Sequence, residues 1–145
     1  MKKAILYLSL LILTACNSDL EKVQYNASEA KAAVLQSIDE SYVLDAQESD
    51  ITAIEFEWAH PQTNYPASVT TDLQMDVQGN EFSNAVILAS TKTDSTYSIT
   101  TADLNAAIIK LQTANNLEFG PQNMEFRLVS SISPAAAPLY SNVVS

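Results

Sequence analysis

Residues 68–77 have the sequence SVTTDLQMDV, and this stretch decides the fold because apolar and polar side chains alternate along it. One face carries a mostly apolar set, which is Val69, Thr71, Leu73, Met75 and Val77. The other face carries only polar residues, which are Thr70, Asp72, Gln74 and Asp76. A period of two is typical of a strand with one face in the core and the other in water. The stretch therefore predicts a half-buried antiparallel strand, with Asp72 and Asp76 on its solvated face.

The same alternation recurs in residues 51–58, where Ile54, Phe56 and Trp58 face away from Glu55 and Glu57. It recurs again in residues 124–132. Weaker strand candidates are residues 32–38, 42–46, 85–91, 96–100 and 139–144. A set of about seven or eight short strands at these spacings predicts an all-β fold. The fold class we expect is an immunoglobulin-like or fibronectin type III-like antiparallel β-sandwich.

One helix interrupts the strand pattern. Leu104, Ala107, Ile108 and Leu111 recur at the spacing of a single helical stripe. Thr100 offers a hydroxyl cap, and Asp103 places a carboxylate at the positive end of the helix dipole. We therefore predict a short inserted α-helix that closes one end of the sandwich.

Residues 78–81, QGNE, predict a hairpin turn in which Gly79 or Asn80 takes a positive φ. The nearby Asp72, Asp76, Asn80 and Glu81 do not have the spacing of an EF-hand calcium loop. We expect the two aspartates to be hydrated on the strand's outer face and no metal to be bound.

The N-terminus has the form of a lipoprotein export signal. Lys2 and Lys3 precede ten mostly apolar residues, AILYLSLLIL, which suit a signal-peptide core of about 7–15 residues and not a membrane span of about 20. The sequence LTAC then resembles a bacterial lipobox, in which the thiol of Cys16 receives the lipid. We predict a signal peptide at residues 1–15, lipid attachment at Cys16, a flexible tether at 16–30 and the sandwich at 31–145.

Composition excludes several classes of function. The chain has 145 residues, with 17 acidic and 7 basic side chains and a formal net charge of −10, so we expect no nucleic-acid partner. Its single Cys and single His leave little for a metal centre or a catalytic dyad. Glu55 and Glu57 lie on one strand face and do not form a glycosidase pair, which spans a cleft of about 5–9 Å. We expect no enzyme and no cofactor.

A glycan site would need an exposed aromatic face beside hydrogen-bonding side chains. Tyr65 lies in the polar loop HPQTNYP, residues 60–66, and is the best exposed candidate. Trp58 is the second candidate, although it shares an apolar strand face with Ile54 and Phe56, which favours packing in the core. His60, the only imidazole, is most simply a surface loop residue.

Several segments together resemble one family. They are LQMDVQGNEFSNAVIL at residues 73–88, TTADLNAAI at 100–108, EFRLVSSI at 125–132 and YSNVV at 140–144. In order and spacing they are similar to the N-terminal module of the SusE family, which are outer-membrane lipoproteins of starch-utilisation systems. The resemblance covers roughly residues 31–145.

The resemblance implies an immunoglobulin-like sandwich, a lipid anchor in the outer membrane, exposure on the cell surface and service beside a polysaccharide importer. Family members usually continue into carbohydrate-binding modules, so we expect either a short member or a truncated or split gene. We expect a non-catalytic lipoprotein that helps capture or present a starch-type glycan, with this module as a spacer or docking domain. The alternative is a structural or adhesion module that makes protein–protein contacts.

Overall fold

Two antiparallel sheets form the framework of the computed structural model, which describes residues 25–38 and 41–145. The first sheet has the order β1-β2-β5, with β1 at Val34–Leu35, β2 at Thr52–Ala59 and β5 at Thr96–Thr100. The second has the order β4-β3-β6-β7, with β3 at Thr70–Val77, β4 at Val86–Thr91, β6 at Met124–Ser131 and β7 at Leu139–Tyr140. A helix, α1, spans Thr101–Ala114 between β5 and β6. The predicted sandwich with one inserted helix is confirmed.

The core lies between the sheets and is built by the alternation that the sequence shows. In the β3–β6 register Leu73 lies opposite Leu128 and Met75 opposite Phe126, and all four side chains are buried. Phe56 of β2 crosses from the other sheet, with its ring centroid 5.1 Å from that of Phe126. Burying each such side chain stabilises the fold by about 1.5–3 kcal/mol. These residues therefore join the two sheets.

Three of the weaker strand predictions need correction. Residues 42–46 form no strand, because Asp45 caps a 3₁₀ turn at Ala46–Glu48 by accepting a hydrogen bond from the Gln47 N–H at 2.8 Å. The strand predicted at 32–38 is reduced to β1. The strand predicted at 139–144 is reduced to β7, followed by an isolated bridge from Val144 to Phe126.

The predicted helix cap is confirmed. The Thr100 hydroxyl accepts a hydrogen bond from the Asp103 N–H at 3.2 Å and lies 2.9 Å from the Asp103 carboxylate. Leu104 and Leu111 face the core and are 3% and 0% exposed. At the other end of α1, the Asn115 side-chain Nδ2–H donates a hydrogen bond to the Leu111 carbonyl at 2.9 Å. The helix is thus fixed at both ends across one end of the sandwich.

Asp76 departs from the sequence prediction, because its side chain is completely buried. The carboxylate accepts hydrogen bonds from the Val77 N–H at 2.7 Å, from the Asn80 amide at 3.0 and 3.1 Å, and from the Asn84 N–H at 3.2 Å. Asn115 accepts further hydrogen bonds from the Asn80 and Asn84 amides, at 3.1 and 2.7 Å. Alternation placed Asp76 on the correct strand face, but the β3–β4 loop and the end of α1 fold over that face.

That loop is longer and more constrained than the predicted four-residue turn. Gly79 has φ 81°, as expected for one of the two residues proposed, and Glu81 and Phe82 also take positive φ values of 54° and 58°. Such conformations cost a residue with a side chain on the order of 1–3 kcal/mol and persist where the surroundings fix them. The hydrogen bonds to Asp76 supply that constraint.

The Asn142 side chain links the C-terminal segment to β1, near the start of the described chain. Asn142 accepts a hydrogen bond from the Leu35 N–H at 2.9 Å and donates one to the Leu35 carbonyl at 2.9 Å. The amide therefore pairs with β1 as a neighbouring strand would, and it satisfies backbone groups that an edge strand leaves open.

Candidate functional site

Trp58, one of the two aromatic residues predicted to contact a glycan, lies in the core. Its side chain is 5% exposed, on the inward face of β2. Its indole Nε1–H is buried and has no hydrogen-bond acceptor among the described residues. The ring therefore offers no exposed face on which a sugar could stack.

Tyr65, the other candidate, is half-buried in the loop between β2 and β3. Tyr25 meets its ring edge-on, with the ring centroids 6.3 Å apart. The neighbouring Asn64 amide donates to the Glu29 carbonyl at 3.3 Å. Residues 25–30, the described part of the segment predicted as a tether, thus contact this loop.

The other residues considered in the sequence analysis do not form a recognisable site among the described residues. His60 is exposed just after β2, and Glu55 and Glu57 are exposed on the outer face of the same strand. Within residues 25–38 and 41–145, no group of three or more His, Cys, Asp or Glu side chains is placed to hold a metal ion. Cys16 and the signal peptide lie outside the described residues.

A groove opens between α1 and the segment that leads into β6, residues 119–124. Its volume is about 1170 Å³, slightly above the range of about 300–1,000 Å³ usual for small-molecule pockets. The floor is apolar, because Ile54, Leu104 and Phe126 of the core form it. Residues 41–44 contribute a further wall. The groove thus reaches from solvent to the hydrophobic core.

The rim of this groove has a different chemistry from its floor. Four amide side chains line it, which are Gln78, Asn105, Gln122 and Asn123, and the amide of Gln112 is buried in the wall below them. Two aromatic residues also line it, Tyr42 and Phe119, and the Phe119 side chain is 73% exposed. None of the described lining residues has a charged side chain. The amide and aromatic side chains together suit a ligand that offers both apolar faces and hydrogen-bonding groups.

The sequence interpretation missed this groove, because its walls come from segments far apart in the chain. One local signal could have indicated it. Phe119 is followed by Gly120 and then, after Pro121, by two consecutive amides. An aromatic ring beside amides in a loop is typical of a binding surface.

A second cluster lies on the outer face of the four-stranded sheet. The Arg127 guanidinium carbon lies 4.0 Å from the Phe82 ring centroid and 4.6 Å from that of Tyr140. The Arg127 Nε–H donates to the Gln74 side-chain oxygen at 3.0 Å. The Tyr140 side chain is 53% exposed. We call these four residues the arginine platform; aromatic residues and arginine are the types enriched at the centres of protein–protein interfaces.

Comparison with known families decides the classification. The sequence model described as SusE outer membrane protein matches residues 18–128. The chain belongs to the SusE family. The resemblance found in the sequence is thereby confirmed, and this SusE-family chain is an outer-membrane protein associated with starch utilisation. No curated protein and no solved structure matches it.

The matched range of this SusE-family chain includes α1, the β3–β4 loop and most of the groove, and it ends within β6. Across residues 25–38 and 41–145, no helix has the length and apolar character needed to cross a bilayer.

Proposed function

We propose that this SusE-family chain is a non-catalytic lipoprotein facing outward from the outer membrane, where it helps an importer capture or present a starch-type glycan. The observation that carries the proposal is the start of the family match at Ser18, two residues after Cys16, the predicted site of lipid attachment. An acylated Cys16 would lead straight into the family module. The strongly acidic composition agrees with a role that involves no nucleic acid.

Anchoring through Cys16 is tested by the substitution Cys16→Ser, with Ser18→Ala as a matched control behind the lipobox. Two or more acyl chains hold a protein on a membrane, at about 0.8 kcal/mol per buried methylene. We expect the Ser18→Ala variant to remain in the outer-membrane fraction and the Cys16→Ser variant to leave it. Equal recovery of both variants in the outer-membrane fraction would exclude lipidation at Cys16.

Outward orientation is tested by protease treatment of intact cells. We expect the sandwich to be cleaved or shaved from intact cells as readily as from lysed cells, while a periplasmic marker survives. Protection in intact cells and loss only after lysis would place the domain on the periplasmic side.

A role in uptake is tested by deleting the gene and growing the strain on starch or on glucose. We expect slower growth on starch alone, restored by the wild-type gene and not by the Cys16→Ser gene. Purified protein should release no reducing sugar from starch. Release of reducing sugar would show an enzyme, and normal growth of the deletion strain would remove the proposed role in uptake.

The arginine platform favours a docking role for this module, which also suits the alternative function of a structural or adhesion module. Arg127 bridges Phe82 and Tyr140 on an exposed sheet face, and such groupings provide much of the binding energy at protein interfaces. Reversing its charge with Arg127→Glu should prevent co-purification with the importer, whereas Lys110→Glu on α1 should not. Retention of the importer by both variants would show that docking uses another surface.

A further inference from the structure

We propose that one end of the sandwich rests on the phosphate-bearing lipid surface that anchors Cys16, so that the opposite end, with the groove, faces away from the membrane. The contacting end comprises residues 25–31, 60–68, 92–95 and 132–138, and we call it the basal end. The inference rests on the proposed lipid attachment at Cys16. It goes beyond that attachment, because it states which surface of the domain meets the lipid and how the domain is oriented.

The strand registers bring the segments of the basal end together. Thr70, at the start of β3, pairs with Ser131 at the end of β6. The Trp58 N–H, near the end of β2, donates a hydrogen bond at 2.9 Å to the carbonyl of Ser95, which lies between β4 and β5. The loops after β2, β4 and β6 therefore lie at one end of the sandwich, whereas α1 follows the end of β5 at the other.

The chain enters the domain at the basal end. Tyr25 and Tyr65 line a pocket of about 520 Å³, and the other lining residues come from the loops that follow β2 and β6. Lys31 and Gln62 then exchange two backbone hydrogen bonds, at 2.8 and 2.9 Å. The segment that leads back to Cys16 therefore starts from the basal end.

This segment is too short to let the domain turn over. The nine residues 16–24 can span at most about 30 Å. The central strands β2, β3 and β6 have eight residues each, which corresponds to a length of about 26 Å. A helix across the far end adds about 10 Å. An inverted domain would hold Tyr25 above the lipid by more than the segment can reach, so the basal end stays nearer to the membrane.

The charges of the two ends favour the same orientation. The basal end is formally neutral, because it carries two acidic residues and two lysines, which are Glu29, Asp94, Lys31 and Lys92. We call residues 41–50, 78–85 and 101–123 the acidic end. These three described segments carry six exposed acidic side chains and one basic side chain, Lys110. An anionic lipid surface repels the acidic end and does not repel the basal end.

The charged groups of the basal end are arranged so that its lysines can meet lipid phosphate. The Glu29 carboxylate accepts a hydrogen bond from a side-chain amide at 3.0 Å, and the Asp94 carboxylate accepts one from a hydroxyl at 2.7 Å. Both bonds lie within the local loop. The Lys31 and Lys92 side chains are exposed, and an ammonium group binds phosphate as a point charge.

The remaining surface of the basal end can enter a headgroup layer without burying a charge. Residues 60–68 and 132–138 contain no Asp, Glu, Lys or Arg. The second loop, ISPAAAP, exposes Pro134, Ala135 and Ala137. Tyrosine, which is present here as Tyr25 and Tyr65, is enriched at membrane–water interfaces because its ring is apolar and its hydroxyl is polar.

The test measures the depth of each end by fluorescence quenching in the full lipoprotein, incorporated into vesicles of phosphatidylethanolamine and phosphatidylglycerol. Cys16 is the only cysteine and would carry the lipid, so a new cysteine gives a single site for a fluorophore. Ala137→Cys labels the basal end and Ala114→Cys labels the acidic end, and both alanines are exposed. A lipid with a nitroxide on its headgroup should quench the probe at residue 137 and not the probe at residue 114. Equal quenching at both positions, or stronger quenching at residue 114, would overturn the inference.

The contribution of charge is measured with Lys92→Gln in the labelled Ala137→Cys protein. Removing one lysine near an anionic surface should lower the ratio of contacting to free domains about fivefold, and added NaCl should act in the same direction. Lys110→Gln removes a lysine at the acidic end and is the matched control, which should not reduce the quenching. Identical quenching of both lysine variants would overturn the role assigned to the basal charges.

Flotation of the vesicles separates this inference from the proposed function. If the protein does not float with the vesicles, anchoring through Cys16 fails and the proposed orientation fails with it. If the protein floats but the two probes are quenched alike, the orientation alone fails and the lipid anchor stands.

Discussion

Replacing Asp76 with asparagine should destabilise the domain by about 2–4 kcal/mol, although the two side chains have almost the same shape. Asp76 is fully buried, and its carboxylate accepts hydrogen bonds from Val77, Asn80 and Asn84. Asparagine retains one acceptor oxygen and puts an NH₂ group in place of the other. An N–H donor of the β3–β4 loop would then face the NH₂ group of the new asparagine and would have no acceptor.

The magnitude follows from the hydrogen bonds that change. The carboxylate bonds to the Asn80 amide and to the Asn84 N–H, at 3.0 and 3.2 Å, involve the same oxygen, Oδ2. Hydrogen bonds to a charged group contribute about 1.5–3 kcal/mol each, and a buried donor left without an acceptor costs about 1–3 kcal/mol. Partial relaxation of the loop keeps the total below the sum of these values.

The assay is urea unfolding followed by the fluorescence of Trp58, the only tryptophan, which is 5% exposed in the fold. With a slope of about 2 kcal/mol per molar urea, the middle of the usual range, the midpoint should fall by about 1–2 M. Asp72→Asn is the matched control, because Asp72 is less buried and accepts a hydrogen bond from the Ser90 hydroxyl at 2.6 Å. A midpoint for Asp76→Asn no lower than that of Asp72→Asn would refute the reasoning.

Three further predictions concern α1, β5 and the arginine platform. Thr100→Ala removes the acceptor of the Asp103 N–H and should cost about 1 kcal/mol in thermal unfolding, while a Thr100→Ser variant that melts like alanine would contradict the capping role. Burial, and then the Asp103 carboxylate, raise the pKa of Tyr97 above 10.0, so the folded state favours the neutral phenol. Its contribution to stability should be complete below pH 10 and decline as the pH rises further; Tyr97→Phe should weaken that decline, and identical pH profiles would exclude it. Arg127→Lys loses the flat contact with Phe82, 4.0 Å from its centroid, and should cost about 0.5–1 kcal/mol in urea unfolding, whereas an unchanged midpoint would show that the stacking adds no stability.

The sequence predicted those parts of the fold in which local pattern and tertiary packing agree. Leu73 and Met75 alternate with polar residues and are buried at 1% and 0% exposure, and Thr100 caps the helix as its position suggested. The strand prediction was wrong where a segment would need a neighbouring strand to pair with. Tyr42 and Val43 have strand-like side chains, but the Val43 side chain is 92% exposed and Asp45 begins a 3₁₀ turn.

The candidate site was much less predictable. Trp58 could be assigned to the core from its strand face, because its position depends on local alternation alone. Local alternation could not predict that Phe119 and Asn105 line the same groove. Phe119 lies in a loop and Asn105 lies on α1, and only the packing of the helix brings them together. Asp76 shows the same limit, because alternation gives the face of a residue and not the loop that later covers it.

The pairing of Asn142 with Leu35 has a consequence for how the domain folds. The two residues are 107 positions apart in the chain, so this contact closes one of the longest loops the domain can form. Long-range contacts slow folding, because the entropy of closing the loop is lost before the contact forms. A polypeptide emerging from a translocation pore with its N-terminus first cannot complete this pairing until residue 142 has followed. The domain therefore cannot reach its final form until residue 142 has emerged from the pore.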